Sequence, residues 1–137
     1  METVMNRDLE LGKYLSAKQF QPHEWAVNDC NTFIVEWIDQ TYGTDFEGLL
    51  QFDYSTALGA ARYHKVLPFT AEEFMYMAGF DKTHLPAMNG DVILQNLGPW
   101  FCAWLVLEDT AYTVDHKQGF VCKPIEQISD YSTWRRT

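Results

Sequence analysis

One cysteine in this sequence stands where a reactive thiol is expected, directly after two helix-capping residues. Asn28 and Asp29 carry side chains that accept hydrogen bonds from the free N–H groups of a helix start, and Cys30 follows them. A thiol in the first helical turn lies at the positive end of the helix dipole, which lowers its pKa and favours the nucleophilic thiolate. We therefore take Cys30 as the candidate nucleophile and Asp29 as the residue that organises the helix start beside it.

The same cysteine also belongs to an apolar stripe. Hydrophobic residues recur after it at the spacing of one helix face, and Gly43 is a natural helix stop. The stripe consists of Cys30, Phe33, Ile34, Trp37 and Ile38. Because free cysteines are among the most buried residues of proteins, packing in the core is a second role open to Cys30.

A cysteine nucleophile needs a base, so the histidines decide between these two roles. His116 falls in a predicted hairpin turn and is the candidate base or orienting residue. His23 precedes Cys30 by seven residues and could fold back towards it. His64 is predicted at a helix end and His84 in a polar connector, and neither is assigned a catalytic role.

The sequence predicts neither a metal site nor any other cofactor site. Its four histidines show no metal-ligand spacing with each other. Its three cysteines, at positions 30, 102 and 122, form no CxxC pair, which argues against both a zinc site and a disulfide framework. An odd number of cysteines in this arrangement fits a protein made in a reducing cytoplasm.

Composition limits the class of protein and its partners. The chain of 137 residues is 47% hydrophobic and 15% aromatic, which is typical of one globular domain. Its net charge of −9 argues against nucleic acid and against an anionic membrane surface as partners. No apolar run is long enough for a membrane span, and residues 1–11 carry four charged side chains, unlike a secretory signal peptide.

The hydrophobic pattern changes once along the chain, from helical to strand-like. The helical part, about 7–79, contains predicted helices at 7–18, 30–42, 55–65 and 70–77, with a connector at 20–27 and an irregular stretch at 43–54. In the third of these helices Ser55 is a candidate cap, and the residues expected to face inward are Ala57, Leu58, Ala61 and Val66. The second part, about 91–123, contains predicted strands at 91–95, 101–107, 111–114 and 120–123, followed by a short helix at 125–131. Helices followed by antiparallel strands predict a single α+β domain over residues 1–137.

Four motifs, taken in order, resemble those of a known family. Residues 25–30, W-A-V-N-D-C, resemble the W-G-x-N-D-C motif of small phage tail-associated proteins related to the NlpC-type cell-wall cysteine peptidases. Residues 54–62 match the segment that follows the cysteine helix in those proteins, and residues 89–94 resemble their G-D-V strand. Residues 119–121, with Trp134 and Arg135, resemble their closing G-L-V…W-R pattern. The resemblance therefore covers nearly the whole chain.

The resemblance implies a papain-like, NlpC-like fold in which N-terminal helices pack on an antiparallel sheet of four or more strands. In the active peptidases of this type, the helix-start cysteine attacks an amide of the peptidoglycan stem peptide. A histidine at the start of the second strand is its base, and a polar residue on the next strand orients that histidine. The resemblance also implies a protein of the virion tail, made in the host cytoplasm, with other tail proteins and bacterial peptidoglycan as partners.

This chain departs from the family pattern at two places. Phe101 or Cys102 occupies the position of the histidine, and Ala26 replaces the usual glycine beside the cysteine loop. Three interpretations stay open: a structural or adaptor protein of the tail tip or hub without full catalytic machinery, an active cysteine hydrolase whose histidine comes from elsewhere, and a small cysteine hydrolase or transferase unrelated to virions. The first requires no unobserved geometry, and it predicts apolar neighbours and a raised pKa for Cys30.

Overall fold

The computed structural model describes residues 4–98 and 100–136, and the side chains of 7–98 and 100–136. The predicted domain's outermost residues, 1–3 and 137, lie outside this range. The first half of the described chain is helical. Its α-helices are α1 (Val4–Lys18), α2 (Cys30–Tyr42), α3 (Phe46–Leu50), α4 (Ala57–Val66) and α5 (Ala71–Met77).

The second half of the described chain forms one antiparallel sheet. Its strands are β1 (Phe80–Thr83), β2 (Val92–Asn96), β3 (Phe101–Leu107), β4 (Thr110–Asp115), β5 (Gly119–Pro124) and β6 (Tyr131–Arg136). The six strands are ordered β1-β6-β2-β3-β4-β5, and every neighbouring pair is antiparallel. A 3-10 helix, Ile125–Gln127, connects β5 to β6. The predicted α+β class is confirmed, and the sheet is open rather than closed into a barrel.

Helix α2 is the central helix of the fold. It starts at the N-cap Asp29 and ends at Gly43, which adopts the left-handed conformation with φ of 69°. The predicted apolar face is confirmed, because Phe33 and Ile38 are fully buried in the main core. Helix α1 is fastened to this helix by the Tyr14 hydroxyl, which donates a hydrogen bond of 2.6 Å to the Phe33 carbonyl.

The two faces of the sheet are both apolar. On β3, successive side chains point to opposite faces, so that Leu105 joins the main core with the helices while Trp104 joins a second, smaller cluster. Ile125 and Ile128, in and after the 3-10 helix, pack in this second cluster. Cys30 packs at its margin, which places the start of α2 next to a strand of the sheet.

A buried ion pair joins the strand β2 region to β6. Asp91, which is 2% exposed, accepts hydrogen bonds from Arg135 Nε at 3.1 Å and from Arg135 Nη2 at 2.8 Å. The same carboxylate accepts from the Met88 backbone N–H at 2.8 Å. Asp91 and Arg135 are the charged residues of the G-D-V and W-R motifs, so these motifs meet in the folded protein although they are 44 residues apart.

Three sequence-based element assignments were wrong. The stretch 43–54 is not irregular throughout, because Asp45 caps the short helix α3. The connector after Gly79 contains the edge strand β1, and residues 125–131 form only one 3-10 turn before β6. Strand β6 was not predicted either. Residues 80–83 of β1 pair with residues 133–136 of β6, and pairing between distant segments leaves no local periodicity in the sequence.

The third predicted helix begins later than expected, and its inward-facing residues were assigned incorrectly. Helix α4 begins at Ala57 and is capped by Thr56, whose hydroxyl accepts a hydrogen bond from the Gly59 N–H, rather than by Ser55. Leu58 and Val66 were expected to face inward, but they are 60% and 78% exposed. No described helix is long and apolar enough to span a membrane.

Candidate functional site

Asp29 organises the loop that leads to the candidate nucleophile. Its buried carboxylate accepts hydrogen bonds from the backbone N–H groups of Asn31 and Thr32 at 3.0 and 2.9 Å, and from that of Ala26 at 3.0 Å. It also accepts a hydrogen bond of 2.6 Å from the Tyr54 hydroxyl. Burial, followed by the charge of Asp29, raises the pKa of Tyr54, so this hydroxyl stays protonated. Four donors therefore fix the helix start on which Cys30 stands.

Asn28 does not cap the helix, contrary to the sequence-based prediction. Its side-chain amide instead donates to the Pro22 carbonyl at 2.9 Å and, more weakly, to the Gln21 carbonyl at 3.4 Å. These bonds fold the preceding connector back on itself. In the same turn, Ala26 has a φ of 66°, a left-handed conformation that favours glycine, at the position where the resembling family carries glycine.

Cys30 lies beside a second cysteine. The interaction with the Cys102 thiol is the largest influence that raises the pKa of Cys30 well above its ordinary value of 9.0, followed by burial. The charge of Asp29 raises it further, and only the Ala103 backbone acts in the opposite direction. The pKa of Cys30 is therefore raised, as expected for a thiol among apolar neighbours, and not lowered, as expected from the helix dipole. The neighbours of Cys30 are not all apolar, since Asp29 acts on it as well.

Strands β3 and β4 provide the second thiol. Their backbone pairing runs from Leu107–Thr110 to Leu105–Tyr112. Just beyond this ladder, the Thr113 hydroxyl donates a hydrogen bond of 2.7 Å to the Ala103 carbonyl. The oxygen atom of this Thr113 hydroxyl lies 3.8 Å from Cys102 Sγ. The interaction with Cys30, and secondly that with Thr113, lowers the pKa of Cys102 against the effect of its burial.

A small cavity of about 100 Å³ opens beside Cys30. Three of the four histidines border it: His23, His64 and His116. His116 follows β4 in a turn, as predicted, and its side chain is exposed while it also borders this same cavity. Its ring stacks on Trp25 with 5.8 Å between the ring centroids.

His64, to which the sequence assigned no catalytic role, lies next to the helix start. Asn31 Nδ2 donates a hydrogen bond of 3.0 Å to His64 Nε2, which makes this nitrogen the acceptor and leaves the proton of the neutral ring on Nδ1. Burial lowers the pKa of His64 despite the nearby charge of Asp29, which favours this neutral form. No spacing rule relates Asn31 to a histidine 33 residues later in the chain. The sequence indicated only that His64 lies near the end of a predicted helix at 55–65.

His23 completes the imidazole group around the cavity. Its ring meets Trp25 edge-on at 4.5 Å and lies 6.4 Å from the ring of His116, measured between centroids. Burial lowers the pKa of His23, and the charge of Asp29 acts against this lowering. Within 7–98 and 100–136, no imidazole is hydrogen-bonded to Cys30, and no group of three potential ligands is placed to hold a metal ion.

A larger and mostly apolar cavity adjoins the first. It encloses about 680 Å³ between α2, α4, α5 and the strands β2 and β3. Asn31, His64 and Trp100 border both cavities, so the thiol site opens beside an apolar chamber. Its walls include Ile34, Phe52, Leu67, Phe69, Phe74 and Phe101. Cavities of this volume and lining commonly bind small organic ligands.

A family model described as a domain of unknown function, DUF6950, matches residues 4–135 of the chain. The chain belongs to the DUF6950 family. The match includes the cysteine loop, all three cavity histidines and the Asp91–Arg135 pair, so the whole site lies inside the family domain. No curated protein matches this DUF6950 chain.

Proposed function

We propose that this DUF6950 protein is a structural or adaptor component of a phage tail, at the tip or hub, in which an NlpC-like fold is used without a working cysteine nucleophile. The single observation that carries the catalytic half of this proposal is the position of Cys102 beside Cys30. The placement in a tail rests on the four motifs that resemble small phage tail proteins.

The cysteine pair supports the loss of peptidase chemistry. In a cysteine peptidase the base takes the thiol proton and then stabilises the thiolate as an ion pair. Phe101 or Cys102 occupies the strand position at which the resembling peptidases carry that base, and of these two residues Cys102 is the one beside Cys30. A thiol neighbour brings no positive charge, and together with burial it holds the pKa of Cys30 above the ordinary value. A neutral thiol is a poor nucleophile at neutral pH.

The surface supports an assembly role. Several large apolar side chains are exposed outside the core and are available for contacts with partner proteins. The most exposed are Phe20 at 84%, Val66 at 78% and Leu85 at 64%. Tryptophan contributes little to this surface, because Trp37, Trp104 and Trp134 are buried. The expected contact centres are therefore phenylalanine, aliphatic and tyrosine side chains.

Genetic replacement in the phage that encodes this chain tests the proposal. Deletion of the gene should abolish infectious particles, and the protein should be found in purified particles by mass spectrometry. Cys30→Ser should leave the plaque yield within about twofold of the parent, as should the matched control Cys122→Ser, whose cysteine is exposed on β5. Absence of the protein from particles overturns the tail assignment, and loss of plaques with Cys30→Ser alone overturns the non-catalytic role.

A second function, a cysteine hydrolase that cleaves stem-peptide amides, is favoured by one observation. Three histidines border the cavity beside Cys30, and Asn31 already holds the ring of His64 in one tautomer. A small movement of one of these rings would supply a base. Purified peptidoglycan incubated with the protein distinguishes the two functions: our proposal expects no soluble muropeptides, and release that is lost in Cys30→Ser but kept in Cys122→Ser would establish the hydrolase.

A further inference from the structure

The larger cavity is bordered by positive charge although the protein as a whole is strongly acidic. Arg62 and Lys65 border it from helix α4, and no aspartate or glutamate does. Neither side chain forms an ion pair with any residue in the described part of the chain. Among the described residues, the charged side chains at the border of this cavity are therefore cationic in a protein whose net charge is −9, and they favour an anionic group there.

Helix α4 lies over this cavity instead of packing tightly on the core. Of its ten residues, Ala60 alone is buried. Leu58 and Ala61 lie on the side of the helix that borders the cavity. They therefore form part of the apolar wall of the cavity and are not packed in the hydrophobic core. The opposite wall, formed by α2, α5 and the sheet, is also apolar, with Ile34, Phe74 and Phe101 as examples.

We propose that this cavity binds a small amphipathic anion, such as a medium-chain carboxylate, with its apolar chain inside and its anionic group at Arg62 and Lys65. The volume of about 680 Å³ lies within the range of small-molecule sites, roughly 300–1,000 Å³. Apolar walls favour the chain through burial of its surface, and Arg62 and Lys65 at the margin select the sign of the head group. This ligand site does not depend on the proposed function, because the reactivity of Cys30 plays no part in it.

Three twelve-carbon probes that differ only in head group test this proposal. Dodecanoate, dodecyltrimethylammonium and dodecanol are titrated into the full chain below their micelle concentrations, with isothermal calorimetry and tryptophan fluorescence as readouts. Trp100 borders the cavity and should report binding. We expect one dodecanoate per chain, bound at least tenfold more tightly than either of the other two probes. Equal or tighter binding of the cationic probe, or no saturable binding of dodecanoate, overturns the proposal.

Charge-neutralising variants locate the head group. The double variant Arg62→Gln, Lys65→Gln should weaken dodecanoate binding at least tenfold while leaving dodecanol binding unchanged. The matched control Lys13→Gln, Lys117→Gln makes the same charge change away from the cavity and should have no effect beyond about twofold. Equal weakening by both double variants would mean that only the net charge matters and would overturn the site. Far-ultraviolet circular dichroism checks folding, and the head-group comparison on the unmodified chain remains decisive if a variant does not fold.

Discussion

Cys30, the first residue of α2, lies beside Cys102 on β3, and this neighbouring thiol, together with burial, raises the pKa of Cys30. This is the reverse of what a helix-start cysteine would show if the helix dipole dominated. Cys30 is therefore a neutral thiol at neutral pH.

The Asp29–Tyr54 hydrogen bond should contribute measurably to stability. Tyr54→Phe removes one of four donors to a buried carboxylate and should lower the free energy of unfolding by about 1.5–3 kcal/mol, the usual cost for a hydrogen bond to a charged group. Urea denaturation measures the loss. Tyr131→Phe, at an exposed position, should change stability by less than about 0.5 kcal/mol. Equal effects of the two changes would contradict a stabilising role for this bond.

Breaking the Asp91–Arg135 pair should be among the costliest single changes. Arg135→Leu leaves the buried Asp91 carboxylate with only a backbone donor, so we expect a loss of about 3 kcal/mol. The double variant Asp91→Asn, Arg135→Leu should recover part of that loss, because no uncompensated charge remains. Chemical denaturation of Arg135→Leu, Asp91→Asn and the double variant completes the cycle. Additive losses would show that the two side chains are not energetically coupled.

The strained turn before the cysteine offers a stabilising change. Ala26→Gly should raise the free energy of unfolding by about 0.5–1 kcal/mol, because glycine adopts positive φ without the steric cost that alanine incurs. Ala17→Gly, at an exposed position inside α1, should instead lower stability by about 1 kcal/mol. Thermal unfolding of both variants is the measurement. Destabilisation by Ala26→Gly would show that the turn is not strained.

Mild acid should weaken the fold through His64. Its pKa in the folded protein is lowered from 6.5 by burial, so the unfolded chain binds the proton more readily. The contribution of the neutral ring is complete above about pH 6.5 and is lost as the pH falls from 6.5 towards the lowered value. Urea denaturation between pH 8 and pH 5 should show this loss, and His64→Gln should reduce it. The exposed control His84→Gln should leave the slope unchanged.

Features that depend on residues close together in the sequence were predicted correctly. The apolar stripe and capping residues of α2 predicted a helix that starts at Cys30 and buries Phe33 and Ile38, and the structure confirms both. Edge strand β1 and strand β6 were missed, because β1 is stabilised by pairing with β6, and β6 by pairing with both β1 and β2, all of which are distant in sequence. Leu58 was assigned to the core because its helix looked amphipathic, whereas that helix covers a cavity.

The site was predicted only in part, because some of its contacts join segments that are distant in the sequence. Asp29 and Cys30 are neighbours in sequence, and their contribution follows from helix-capping rules. The approach of Cys102 depends on where β3 lies against the start of α2, and that of His64 depends on how α4 is placed over α2. Neither distance leaves a pattern in the amino-acid sequence. The assignment of Phe101 or Cys102 to the position of a family histidine was the one sequence signal of the thiol pair.

The ionisation of the Cys30 thiol decides whether this cysteine can act as a nucleophile. The rate of iodoacetamide alkylation is followed from pH 6 to pH 10 in the Cys122→Ser chain, and peptide mass spectrometry separates Cys30 from Cys102. We expect slow labelling of Cys30 at pH 7 and a midpoint above 9.0, the ordinary value of a cysteine. Rapid labelling at pH 7, with a midpoint well below that value that is lost when His23, His64 or His116 is replaced by alanine, would contradict the account and establish a catalytic cysteine.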